Sequence, residues 1–169
     1  TYLVPEWFFG FDILMQVLFG ISSFFVAFYS FKIYKLSGQR ESRIFSIGFF
    51  LIALSYIIKA ITTSLALNQV KEGFKIISFE SLNSLVQFAT YTHVFLFTMG
   101  LVTLAYLTFK IESYRVYSLL LATNIAIIVL SSNKALAFNI FSSLLLGYIC
   151  IHYMLEYNKN NNPKTFLVL

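Results

Sequence analysis

The stretch SLNSLVQFATYTHVFLFTMGLVTLAYLTF, residues 81–109, runs for 29 residues without a formal charge. A hydrocarbon bilayer core asks for about 20 mostly apolar residues per helical crossing, so this run is long enough to cross with a turn or two to spare. It shows no strict alternation of apolar and polar side chains, which removes a barrel strand and leaves a helix that satisfies its own backbone.

Four further runs have the same character. Residues 13–31 make 19 without a charge, 44–70 are interrupted only by Lys59, 116–133 make 18 and 135–155 make 21. They predict helices near 8–34, 44–67, 84–109, 114–131 and 134–156: an all-α integral membrane protein, folded as one antiparallel bundle of five transmembrane helices over 1–169. Composition agrees. The chain is 59% hydrophobic and 11% charged, with 20 Phe and 11 Tyr, against roughly 25% charged residues in a soluble domain. Mean hydropathy is +0.79. A soluble globular domain and a disordered chain are excluded, and the single cysteine, Cys150, excludes a disulfide scaffold.

The chain opens on Thr1 rather than Met, so its start is expected to be processed, cut or unseen. After Glu156 comes an asparagine-rich stretch, read as a polar cytoplasmic linker over 157–164, and then five apolar residues, 165–169, expected to be the start of a sixth span or a tail in the interface. Between Asn68 and Asn83, Leu67, Val70, Phe74 and Ile77 recur at helical spacing, with Lys71, Glu72 and Lys75 between them. That pattern predicts a short amphipathic helix in the outer headgroup layer, serving as a lid or as a docking surface for a partner subunit.

Charge sets the expected orientation. Lys32, Lys35, Arg40, Arg43, Lys110, Arg115, Lys159 and Lys164 flank the turns after the first, third and fifth runs, whereas only Lys71, Lys75 and Lys134 flank the other turns. The positive-inside rule then places the N-terminus outside a cell membrane, with Trp7 and its aromatic neighbours as an outer anchor and Lys35, Arg40, Arg43, Lys110 and Arg115 at the inner lipid surface. The bilayer is the first partner implied, and other membrane subunits are a second. Nucleic acid is excluded despite a pI near 9.3, because these bases sit on short turns pinned to the membrane, with no helix to enter a groove.

Polar groups inside spans are costly, so each one is a functional hypothesis. At a 1.5 Å rise, Gln16, Lys59 and His93 lie about 12 to 13 Å below the outer ends of their spans, with Asn124 and Asn139 about 8 to 10 Å down theirs. If these five converge they line an outward-facing pocket. Lys59 supplies a positive charge, His93 a proton donor or acceptor with a reference pKa near 6.5, and the three amides supply directional hydrogen bonds. Thr90, Tyr91 and Thr92 add hydroxyls, and Asp12 lies one turn above Gln16 as a counter-ion. An anionic or carbonyl-bearing small ligand suits that set. The competing reading is structural: amides that glue helices together, a lysine that reaches to the interface, and a histidine satisfied by a backbone carbonyl.

No cofactor is implied. His93 and His152 differ by about 13 Å in depth, which argues against one bis-histidine haem and leaves a singly ligated haem, with Met99 or Met154 nearby, as a minor alternative. The chain has no HExxH or GxSxG, no paired intramembrane carboxylates and no second cysteine. The expectation is a non-enzymatic membrane module, either an accessory subunit of a larger assembly or a sensor of a small outer ligand. A transporter is the alternative, and it would need an aqueous route past Ser55, Tyr56 and Thr103.

Overall fold

The computed structural model describes residues 6–71, 79–109 and 113–160, with side chains over 10–68, 83–109 and 113–159. Among the described residues there are five helices and no strand: α1 (Glu6–Ser37), α2 (Arg40–Lys71), α3 (Phe79–Thr108), α4 (Tyr114–Leu130) and α5 (Lys134–Asn160). Stretches within α1, α2, α3 and α5 are long and apolar enough to cross a membrane. The fourth is shorter than the sequence runs imply. Its 17 residues extend about 25 Å, less than the ~30 Å hydrocarbon core.

Helix ends depart from the hydropathy boundaries in three places. The first turn shrinks to Gly38 and Gln39, because Ser37 and Arg40 are helical. Gly38 adopts φ +69° and its N–H donates to the Tyr34 carbonyl at 2.8 Å. Left-handed backbone costs an L side chain, so glycine is the residue that closes this hairpin. The outer loop is also shorter than expected, since α2 runs to Lys71 and α3 starts at Phe79. Finally, the linker expected from 157 is still helical to Asn160. A few asparagines cost only fractions of a kcal/mol each, too little to end a long helix already formed. The aromatic anchor around Trp7, the amphipathic segment of the outer loop, Lys110 and the 161–169 tail lie outside the described side chains.

The chain divides into two compact units, 1–100 and 101–169. In the first, α1 and α2 form an antiparallel hairpin along a seam of small side chains. Gln16, Gly20, Ala27 and Ser30 are buried and Ser23 half-buried, a four-three spacing that keeps one stripe facing a partner helix. Ser46 Oγ donates to the Ala27 carbonyl at 2.8 Å and Ser30 Oγ to the Ser42 carbonyl at 3.0 Å. Such approach to a neighbour's backbone is open only to small residues. The large apolar side chains Phe24, Phe25, Phe28 and Tyr29 point outward instead. Small residues inside and bulky ones outside is a pattern that helix pairs in lipid use.

α2 and α3 approach still more closely. A Cβ built on Gly100 would lie 2.8 Å from the Gly48 carbonyl oxygen and 2.7 Å from Ile52 Cγ1. Only a residue without a side chain fits there.

In the second unit, the end of α3 meets α4 and α5 through hydroxyls and rings. The Thr103 and Tyr117 hydroxyls are 3.2 Å apart, and Tyr106 packs edge-on to Tyr117. Thr108 Oγ1 sits between the Ala105 carbonyl at 2.7 Å and the Tyr148 hydroxyl at 3.2 Å. The turn into α5 is capped by Asn133, whose Oδ1 accepts the Leu136 N–H at 3.1 Å.

Candidate functional site

The hairpin register positions the first group of polar residues. Gly20 faces Ala53, Tyr56 and Ile57. One turn further up an antiparallel pair, Gln16 comes level with 57–60, the turn that carries Lys59. Gln16 is only 4% exposed. Its Nε2 donates to Asp12 Oδ2 at 2.7 Å, the i, i+4 spacing that brings two side chains together on one helix face. The amide's other end is left over: Gln16 Oε1 is buried and has no hydrogen-bond partner. A buried acceptor left unpaired costs about 1 to 3 kcal/mol, so this atom needs an explanation.

Lys59 is half-buried on the same face as Ser55, one turn away. Among the described residues no carboxylate forms an ion pair with it. Asp12, the expected counter-ion, has its carboxylate turned to Gln16.

His93 on α3 is buried, and its Nδ1 lies 3.2 Å from the Ser55 carbonyl oxygen. A carbonyl only accepts, so Nδ1 carries the proton and Nε2 is the acceptor of the neutral ring. The ring packs with Tyr56 at 5.3 Å and Phe97 at 5.7 Å between centroids, and Tyr56 continues to Phe19 at 5.7 Å. Three helices therefore contribute to one aromatic layer beneath the polar group.

Thr90 and Thr92 turn their hydroxyls to their own helix, donating to the Val86 and Phe88 carbonyls. They add nothing to the group. Ser55, fully buried, likewise donates to Ile52 within α2 at 2.7 Å.

The other two expected residues belong to the second unit. Asn124 is buried and its Nδ2 donates to the Leu120 carbonyl, 2.8 Å away on its own helix. Asn139 is exposed on α5. Within that unit a cavity of about 150 Å³ opens among Val102, Ala105, Phe109, Leu120, Asn124, Leu145 and Tyr148. Sequence reading gave no sign of it, because a cavity is a property of how side chains fit across helices.

Of the basic residues expected at the lipid surface, Lys35 lies over the Phe31 ring at 5.1 Å and Arg43 over Tyr34 at 5.9 Å. Arg40 and Arg115 are exposed at the starts of α2 and α4. Each basic turn of the first hairpin thus carries aromatic surface that holds its charges at the helix ends. Compared with known proteins, the chain matches no family model, no curated protein and no solved structure.

Proposed function

We propose that the chain is a non-enzymatic multi-pass protein of the cell membrane, N-terminus outside, which senses a small acidic ligand from the outer leaflet through Gln16, Lys59 and His93. All five helices cross in this reading, the short α4 by local thinning of the bilayer, which costs only fractions of a kcal/mol per Å of mismatch.

One observation carries the proposal: a buried amide oxygen without a partner, Gln16 Oε1, level with a lysine that no described carboxylate neutralises. The ligand answering both offers an anionic group to Lys59 and an O–H or N–H to Gln16. A hydroxy acid or an amino acid has that pair of groups. His93, held by Ser55, presents an oriented ring rather than a mobile one.

Transport fits less well. The route it needs past Ser55 and Tyr56 is occupied by a fully buried serine bonded within its own helix and by the Tyr56 ring packed edge-on to Phe97.

The test is calorimetric titration of the chain in phosphatidylcholine nanodiscs with lactate and with propionate, which differ by one hydroxyl. Lactate should bind about tenfold more tightly, a difference of ~1.4 kcal/mol. Lys59→Met should lose both acids while its melting temperature stays close to that of the unaltered chain. Equal affinity in the Lys59→Met variant and the unaltered chain sinks the ligand site.

A further inference from the structure

The hairpin of α1 and α2 has two flanks, and they differ. On one, Phe19 meets Tyr56, and Tyr56 meets His93 of α3. The other carries two apolar stripes, each ending in a cation. Phe28, Phe31 and Lys35 recur on α1, and Arg43, Ile47 and Phe50 on α2, all of them exposed, at spacings of three and four that keep each set on one helix face. Phe31 stands about a third of a turn round α1 from Phe19, with the seam residues Ala27 and Ser30 between them. On α2, Ser42 and Ser46 stand in the same way between Tyr56 and Arg43. Both stripes therefore share the flank turned away from α3.

Side chains join the two stripes at the top. The Phe31 ring packs against Tyr34 at 6.0 Å, Lys35 Nζ lies over Phe31 at 5.1 Å, and the Arg43 guanidinium lies over Tyr34 at 5.9 Å. Below them, Phe28 is seven residues from Lys35 and Phe50 seven from Arg43, about 10 Å along each helix. The register set by Ser30 against Ser42 and Ala27 against Ser46 brings Phe28 and Ile47 to similar depth. Among the described residues no acid pairs with Lys35 or Arg43. Glu41, the acid nearest them in sequence, points to nearly the opposite side of α2 from Arg43.

Two cations without a carboxylate, above hydrocarbon on the same face, match a lipid whose headgroup is negative and whose chains run down from it. We infer that this flank seats one anionic phospholipid of the leaflet that holds the Gly38 turn, with Lys35 and Arg43 at its phosphate and its chains along Phe28, Ile47 and Phe50. The inference rests on the membrane-spanning reading and not on the outer ligand site. The rings beneath the cations matter to it. A cation over an aromatic face is already held, so less freedom is lost when two long side chains close on a headgroup.

Tryptophan reports the lipid beside it. The chain's one tryptophan, Trp7, is replaced by Phe. Phe28→Trp then reports the flank, and Ile151→Trp, exposed on α5 eight residues from Lys159, is a reference at similar depth. Each is reconstituted in phosphatidylcholine vesicles with brominated phosphatidylglycerol as a minor component, whose bromines quench neighbouring indoles. Quenching of the Phe28→Trp reporter should show a preference for phosphatidylglycerol over phosphatidylcholine of about tenfold, and the Ile151→Trp reporter should show almost none. Lys35→Gln with Arg43→Gln should remove the preference. Arg115→Gln with Lys159→Gln, which takes the same charge from the other basic turns, should leave it. Equal quenching of the two reporters, a preference that survives Lys35→Gln with Arg43→Gln, or one that Arg115→Gln with Lys159→Gln removes as well, overturns the inference. Brominated phosphatidylcholine separates the premises. Reporters that it quenches, with no excess from phosphatidylglycerol, refute the lipid seat alone, whereas reporters that it does not reach refute the membrane reading and the seat with it.

Discussion

α1 and α3 are both apolar enough to span a membrane, yet they bury themselves in opposite ways. In its most apolar window α1 has 17% of its residues buried and α3 has 56%. The buried members of α1 are Gln16, Gly20, Ala27 and Ser30, while its phenylalanines face out. α3 instead buries six successive residues, Leu101 to Tyr106. A helix in lipid that touches a single neighbour needs one narrow stripe of small residues. A helix enclosed on all faces can use leucine, valine and threonine wherever shape requires. Apolar content therefore makes a helix compatible with lipid, and the position of the small residues says where its neighbour is.

The sharpest way to break this contrast is to enlarge a small residue on each helix. Gly100→Leu drives a side chain into the Gly48 carbonyl and Ile52, and should cost upward of 3 kcal/mol or prevent folding, read as loss of the unfolding transition in mixed micelles. Gly147→Leu on α5 meets nothing within 4 Å and should stay within about 0.5 kcal/mol of the unaltered chain. On the α1 seam, Ala27→Phe separates the contact that Ser46 makes and should destabilise by about 1 to 3 kcal/mol, whereas Phe28→Ala, on the outward face, should change little in the same assay.

The smaller effects test the fine structure of the first unit. Gly38→Ala places a Cβ at φ +69° and should lower stability by about 1 kcal/mol in thermal unfolding, with no change in ligand or lipid binding. Ser55→Ala should cost less still, since its hydroxyl bonds only within its own helix and the Ser55 carbonyl that holds His93 is kept.

Much of this helical architecture is legible in the sequence itself. The helices were legible because five long runs of the sequence are almost free of charge, and four of them form helices long and apolar enough to cross a membrane. Their ends were not, since hydropathy marks where side chains turn polar and helices continue through polar residues such as Ser37, Arg40 and Asn158. Local pairing was partly legible: Asp12 and Gln16 are four apart, although Asp12 meets the amide and not Lys59. The partner of His93 is 38 residues away at Ser55, fixed by the register of α2 against α3, which no spacing rule encodes. The cavity beside Ala105 depends in the same way on what faces it.

The most direct test places single cysteines in the turns of a Cys150→Ser chain and labels intact cells with a membrane-impermeant maleimide. Gln39→Cys, in the basic hairpin, should react only after permeabilisation, while Asn133→Cys, between α4 and α5, should react from outside. Labelling of Gln39→Cys in intact cells would contradict a bundle that crosses lipid with its basic hairpins inside.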